Sequence, residues 1–186
     1  MSATSTVEVP KATTWKIDPV HSNAQFKVKH MMISNVKGEF TNISGVLVLD
    51  SEDITKSRIE ASIDAATINT HEAQRDAHLK SADFFDAEKF PTLSFKSTRV
   101  SKKGDGVLEV VGDLTIHGVT RSETFEVEGP TAPIKDPYGF TRIGLSATTR
   151  VDRKDFGLVW NGVLETGGVL IGDQVAITLD VEFVKA

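Results

Sequence analysis

The chain has no cysteine, which removes disulfides, thiolate catalysis, cysteine-ligated zinc and iron–sulfur clusters together. That absence leaves the redox compartment open. Positive charge is also short: Lys and Arg number 21 against 26 Asp and Glu, a formal net charge of -5. No nucleic-acid partner is expected, because phosphate neutralisation needs clustered Lys and Arg. No apolar run is long enough to cross a bilayer as a helix, so no transmembrane segment is expected. A transient contact with a membrane surface stays compatible with that. Gly-rich phosphate loops, serine nucleophile elbows and HExxH motifs are missing too.

What is present is ordinary for a globular protein: 186 residues, 39% hydrophobic and 25% charged. The length suits one domain with a core large enough to need no metal or disulfide. Residues 1–13, MSATSTVEVPKAT, read as a flexible tail, and residues 14–186 as a single domain. The tail lacks a basic stretch followed by an apolar one, so no signal peptide is seen and a cytoplasmic protein is expected. A trimmed export leader, which would make the protein periplasmic, would leave the same residues.

Period-two alternation dominates. Ala24, Phe26, Val28 and His30 share one face, with Asn23, Gln25, Lys27 and Lys29 on the other. Residues 31–37 read as irregular. Ile59, Ala61 and Ile63 alternate with Arg58, Glu60, Ser62 and Asp64. Leu108, Val110, Leu114 and Ile116 form another apolar face, with Gly112 marking a bend or bulge. Phe125 and Val127, then Ile143, Leu145 and Ala147, continue the pattern. Val175, Ile177, Leu179, Val181 and Phe183 make the clearest strand of all. About eight such strands suggest an all-β sandwich or antiparallel barrel. The barrel is preferred because the first and last clear strands are long and two-toned, so their pairing would remove exposed edges.

One stretch breaks the pattern. Residues 71–89 read as a short helical insert, within a segment Thr67–Phe95 that holds four of the ten Phe and two of the five His. Asn69 with Glu72 resembles a capping box, Thr70 is an alternative cap, and Ser81 with Asp83 suits a second turn. Asp76 and Lys80 are spaced for an i, i+4 pair. His71 and His78 stand seven apart, about 10 Å along a helix, too far to share one metal unaided. Arg75-Asp76 and Arg153-x-Asp155 read as structural ion pairs or loop ties. His117 falls on a polar strand face and is expected in solvent. His30 points inward with Phe26 and Val28, either to meet a polar head group or to bond backbone as a strand-end histidine.

Several motifs together resemble the YceI-like, polyisoprenoid-binding family. They are Trp15-x-Ile17-Asp18-x-x-His21-Ser22, Phe26-x-Val28-x-His30 and Gly38-x-Phe40-x-x-x-x-Gly45. Arg75-Asp76-x-His78-Leu79-x-Ser81-x-Asp83-Phe84-Phe85-Asp86 and Phe90-Pro91-x-x-x-Phe95 follow, then Gly112-x-Leu114-Thr115-Ile116-x-Gly118 and Arg153-x-Asp155-Phe156-Gly157. Each is weak alone; their order and spacing are specific. The resemblance implies a lipocalin-like barrel that binds a long-chain amphiphile and performs no catalysis. The bound ligand would be a polyprenyl phosphate or an isoprenoid quinone, with no other cofactor required and no metal. Such families often form a homodimer. Alternation by itself favours a barrel packed solid with its own side chains; the resemblance reverses that preference. The expected ligand-binding residues are then Phe26, Val28, His30, Phe40, Leu79, Phe84, Phe85, Phe95, Leu108, Val110, Leu114, Phe125, Leu145, Ile177 and Leu179. An enzyme acting on an isoprenoid or fatty-acid derivative, with His30 or a helix-borne Asp as acid or base, is the alternative. A solid scaffold protein is the third reading.

Overall fold

The computed structural model describes residues 11–186. Most of the expected tail lies outside these residues, but Ala12 and Thr13 already belong to a strand. The strands are β1 (Ala12–Ile17), β2 (Asn23–His30), β3 (Ser34–Phe40), β4 (Ile43–Asp50), β5 (Arg58–Asp64) and β6 (Ile68–Asn69). After the helix α1 (Ala73–Lys80) come β7 (Thr92–Gly104), β8 (Val107–Ile116), β9 (Val119–Glu128), β10 (Ile134–Lys135), β11 (Thr141–Asp152) and β12 (Ile171–Lys185).

Eight of them close a ring in the order β11-β9-β8-β7-β5-β4-β1-β12, completed by antiparallel pairing of β12 with β11. The expected barrel is therefore the fold. The long last strand is what permits closure. One edge of β12 lies against β11 along its length, and the other is shared by β1 (Ile17 opposite Phe183) and β2 (Asn23 opposite Asp180). β3 and β6 continue outward from β2. The hairpin β2–β3 thus stands on the barrel wall as an extension at one end.

Residues expected to be irregular, 31–37, instead contain a tight turn and most of β3. The pattern there has few large apolar residues, so periodicity missed it; the ladder with β2, from His30 opposite Ser34 to Ala24 opposite Phe40, supplies the order. Gly112 does mark irregularity, with the extra residue inserted on the partner strand: the β7 register slips between Ser97 and Arg99 opposite it. A Cβ at Gly112 would stand 2.4 Å from the Phe95 ring and 2.5 Å from the Lys96 carbonyl, so only glycine lets that ring lie across the strand.

The helix is shorter than the insert suggested. Its N-cap is Glu72, whose carboxylate accepts from the Gln74 and Arg75 N–H groups, so neither Asn69 nor Thr70 caps it. Asn69 accepts from the His71 N–H, and Thr70 donates its N–H to Asp76 at 2.8 Å. Asp76 is thereby bonded to Thr70, the partner that replaces Lys80. The helix stops at Ser81, whose N–H and hydroxyl both return to the His78 carbonyl. Residues 81–89 then form successive turns rather than a second helix.

Candidate functional site

The inward faces of the strands enclose a cavity of about 700 Å³. All fifteen residues expected to bind ligand stand on its wall. They come from distant parts of the chain, brought together by register: Phe26 lies opposite Ile177, Val28 opposite Val175 and Phe95 opposite Leu114. Directly opposed residues share a face in an antiparallel pair. Cavity-wall positions on β12 run from Ile171 to Val181, about 33 Å along the strand at its ordinary rise. At the end where β1 begins and β12 finishes, Trp15, Ile143 and Phe183 are buried but do not reach the cavity. They form solid core there.

The other end is its mouth, built from three pieces. The β2–β3 hairpin contributes Lys29 and His30; α1 contributes Gln74, Arg75, His78 and Leu79; the segment 157–170 contributes Leu158, Trp160 and Leu170. Phe84 and Phe85 follow α1 and close around it. Phe85 meets Phe40 edge-on at 5.7 Å, and Phe40 meets Phe26 at 5.9 Å. His78 packs edge-on against Phe84 (5.0 Å) and Trp160 (4.7 Å), while its Nε2 lies 2.8 Å from Asp83. The aromatic insert and the Trp160 segment therefore meet across His78. Gly38 serves the same wall: a Cβ there would stand 2.4 Å from the Phe26 ring.

His30 faces inward, opposite Ile171. The histidine rings that hydrogen-bond among the described residues are His21, His78 and His117; the His30 imidazole is not tied to backbone. His117, expected in solvent, is half-buried in the β8–β9 turn, wedged 4.8 Å from Phe90 with Nδ1 3.3 Å from the Phe156 carbonyl.

Two other features define the ends of the barrel. Of the two readings of its motif, Arg153 is a loop tie: its one ion pair among the described residues is with Asp173 at 3.4 Å, and Asp155 is not a partner. Arg153 is buried, and burial pulls its guanidinium below the usual arginine range. Its Nε donates to the Gly172 carbonyl (2.9 Å), and Nη1 donates to the carbonyls of Leu158 and Trp160 (2.9 Å to the latter). Asn161 adds a bond in each direction to the Ile171 backbone (2.8 and 3.0 Å). Together they hold segment 157–170 at the mouth. Sequence reasoning passed over this segment; its only signals were Trp160 and the turn glycines at 162, 167 and 168 in an otherwise alternating chain.

The second feature is an ion cluster at the opposite end. Asp18, His21 and Glu182 place ligand-type atoms within 4.8 Å of one another. Arg142 occupies the carboxylates, donating to Asp18 and Asp136 at 2.6 Å and to Glu182. The His21 imidazole and this guanidinium together hold the Asp18 carboxyl well below the usual carboxylate range. The cluster ties the β1–β2 turn to the β10–β11 turn, β11 and β12, which gives the Asp18-x-x-His21-Ser22 motif a structural role.

The chain matches the YceI-like domain over residues 15–183. It belongs to that family. A UPF0312 protein of Vibrio vulnificus is 42% identical over 138 residues, covering 74% of this chain and 72% of the relative. Among solved structures, BcnA of Burkholderia cenocepacia superposes with a TM-score of 0.75 at 20% identity, covering 89% of this chain and 98% of that one. A polyisoprenoid binding domain from Saccharophagus degradans, implicated in plant cell wall breakdown, gives 0.67 at 14% identity, covering 94% and 99%. These two likenesses are of fold, and with the family match they make the barrel of this chain a YceI-like barrel.

Proposed function

We propose that this YceI-like protein binds and carries a long-chain amphiphile, a polyisoprenoid such as a polyprenyl phosphate or an isoprenoid quinone, with its tail in the barrel. The observation that carries this is the cavity itself: about 700 Å³, mostly apolar, running along the barrel. Ligand pockets span roughly 300–1,000 Å³. At about 24 cal/mol per Å³, a dry void of this size would cost on the order of 17 kcal/mol, more than a domain's whole stability. Water finds few polar partners on such a wall. A hydrocarbon tail suits it: burial contributes about 0.8 kcal/mol per CH₂, roughly 3–4 kcal/mol for each five-carbon unit. Three or four units offset the association cost of about 4–15 kcal/mol. The family match and the Saccharophagus domain support the same ligand class.

The head group belongs at the mouth, where Lys29, His30 and Arg75 favour an acidic or carbonyl-bearing head. Organic extraction of the purified protein followed by mass spectrometry tests the reading. One long-chain lipid per chain is expected; a protein that carries none, and takes none up from solution, overturns it. Recovery of the lipid chemically unaltered after prolonged incubation separates carriage from turnover.

A further inference from the structure

Beside the mouth stands a turn whose composition is costly twice over. Met31, Met32 and Ile33 join β2 to β3; Met32 is 62% exposed and Ile33 80%. The turn closes with the Ile33 N–H on the His30 carbonyl (3.1 Å). Met31 and Met32 have φ of 50° and 61°, the left-handed region where Asn-Gly is the favoured pair. Asn-Gly would relieve the backbone and remove the exposed apolar surface together. The chain instead holds two methionines and an isoleucine in water, on a strained backbone, which points to something that covers them.

Charge indicates what that is. The hairpin behind the tip carries Lys27, Lys29 and Lys37, all exposed, with Lys27 opposite Lys37. None of the three is ion-paired among the described residues. On a chain of net charge -5 this is a local positive face. An apolar edge backed by lysines matches the boundary of an anionic bilayer, where headgroups meet the cations and acyl chains meet the apolar residues. The neighbouring segment adds exposed Val163 and Val169, bridged to each other, although Glu165 stands at its own tip. The Met31 N–H bonds the Leu170 carbonyl at 2.8 Å, and Leu170 lines the cavity. The apolar tip is therefore continuous with the mouth.

We propose that the Met31-Met32-Ile33 tip, with Lys27, Lys29 and Lys37 behind it, docks the barrel mouth-first onto an anionic lipid bilayer. An amphiphile then passes between bilayer and lumen without crossing water; this purpose, though not the docking, rests on the function proposed above. The test is flotation of the full chain with vesicles of phosphatidylcholine containing about one third phosphatidylglycerol. Native protein is expected to float with them and to release as salt rises. Met31→Asn, Met32→Gly and Ile33→Thr together are expected to weaken flotation by about tenfold. The same variant should keep its bound lipid, since none of the three lines the cavity, and should lose no thermal stability, since Asn-Gly relieves the turn backbone. Lys27→Gln with Lys37→Gln should cost about fivefold per lysine on anionic vesicles and little on neutral ones. Native protein that ignores the vesicles, or a tip variant that floats as well as native, overturns the proposal; so does a native tip that binds another protein but no vesicle. Lipid extraction is read separately, so a failed docking leaves the ligand assignment standing on its own result.

Discussion

The two ends of the barrel are each tied by one arginine, and the ties differ in kind. At the mouth, buried Arg153 bonds mainly neutral backbone carbonyls, those of Leu158, Trp160 and Gly172. At the base, partly exposed Arg142 bonds three carboxylates from three separate segments. Arginine's planar fork suits both tasks. A clamp made mainly of carbonyls, with one ion pair to Asp173, answers weakly to salt and acid, whereas a carboxylate cluster answers strongly to each. The mouth also concentrates strain: of the six non-glycine residues at positive φ among the described residues, five (Met31, Met32, His71, Asp86 and His117) lie in its turns, and Asp105 lies at the far end. The base is built to stay closed. The mouth is built from loops held open in one shape, as a ligand entrance needs.

Breaking the mouth clamp has the largest expected effect. Arg153→Met removes the donors from several buried carbonyls and is expected to cost on the order of 4 kcal/mol in urea denaturation. Amide exchange should rise first in residues 157–170; uniform loss of protection across the barrel would mean that Arg153 holds the core and not the mouth. Next comes Phe84→Ala, which empties a side chain only 6% exposed and should cost roughly 3 kcal/mol. Its effect on co-purified lipid sharpens the comparison. A folded variant with unchanged lipid content would make the aromatic insert a brace on the barrel and no part of the binding wall.

The sequence disclosed the barrel because alternation survives without knowledge of partners. β12 could be read residue by residue from Val175 to Phe183, and its expected pairing with the early strand β2 exists, but that pairing does not close the barrel: the ring closes between β12 and β11, and β2 extends the wall outside it. Twelve of the fifteen wall positions lie on strands and were legible for the same reason, since a two-tone strand has one inside; Leu79, Phe84 and Phe85 lie on α1 and the turns after it and were legible only through the family motif. The mouth was legible only in part, through His30, Leu79, Phe84 and Phe85. Segment 157–170 has no period, and its order comes from Arg153 and Asn161 bonding backbone, which residue identity does not reveal. α1 was overextended mainly at its far end, where Ser81 turns its N–H and hydroxyl back to the His78 carbonyl and ends the helix; at its start, Glu72 and not Asn69 meets the free N–H groups. β3 was missed because its strand character comes from pairing with β2, with little apolar pattern of its own.

A smaller effect is expected inside the mouth. His30 faces the cavity, and its imidazole makes no hydrogen bond among the described residues, so it is available to a head group. His30→Ala should weaken a head-bearing isoprenoid about tenfold, the worth of one hydrogen bond to a charged group, and leave a headless hydrocarbon of equal length nearly unaffected. Competition between the two ligands on one preparation reads this directly, and equal loss for both would remove His30 from head-group recognition.

The smallest effect near neutral pH lies at the base, and it appears only in acid. Asp18 and Asp136 both titrate below the ordinary carboxylate range, Asp18 chiefly through bonds from His21 and Arg142, Asp136 chiefly through Arg142. A carboxyl depressed in the folded state contributes stability that is fully present above its unfolded pKa, near 4, and is lost as pH falls through the folded value. The native protein should therefore lose stability steeply below about pH 4. Arg142→Gln should start from lower stability at neutral pH and show a shallower acid slope, because the carboxyls it leaves behind titrate closer to their unfolded values. Added salt should narrow the gap between the two proteins at neutral pH. The Arg153→Met variant should keep most of the native acid slope and show a weaker salt response, since Asp173 is the one carboxylate partner of Arg153 among the described residues and the rest are carbonyls. Thermal midpoints of the three proteins from neutral pH into acid measure this, and parallel acid slopes for native and Arg142→Gln would mean that the base cluster does not distinguish the two ends.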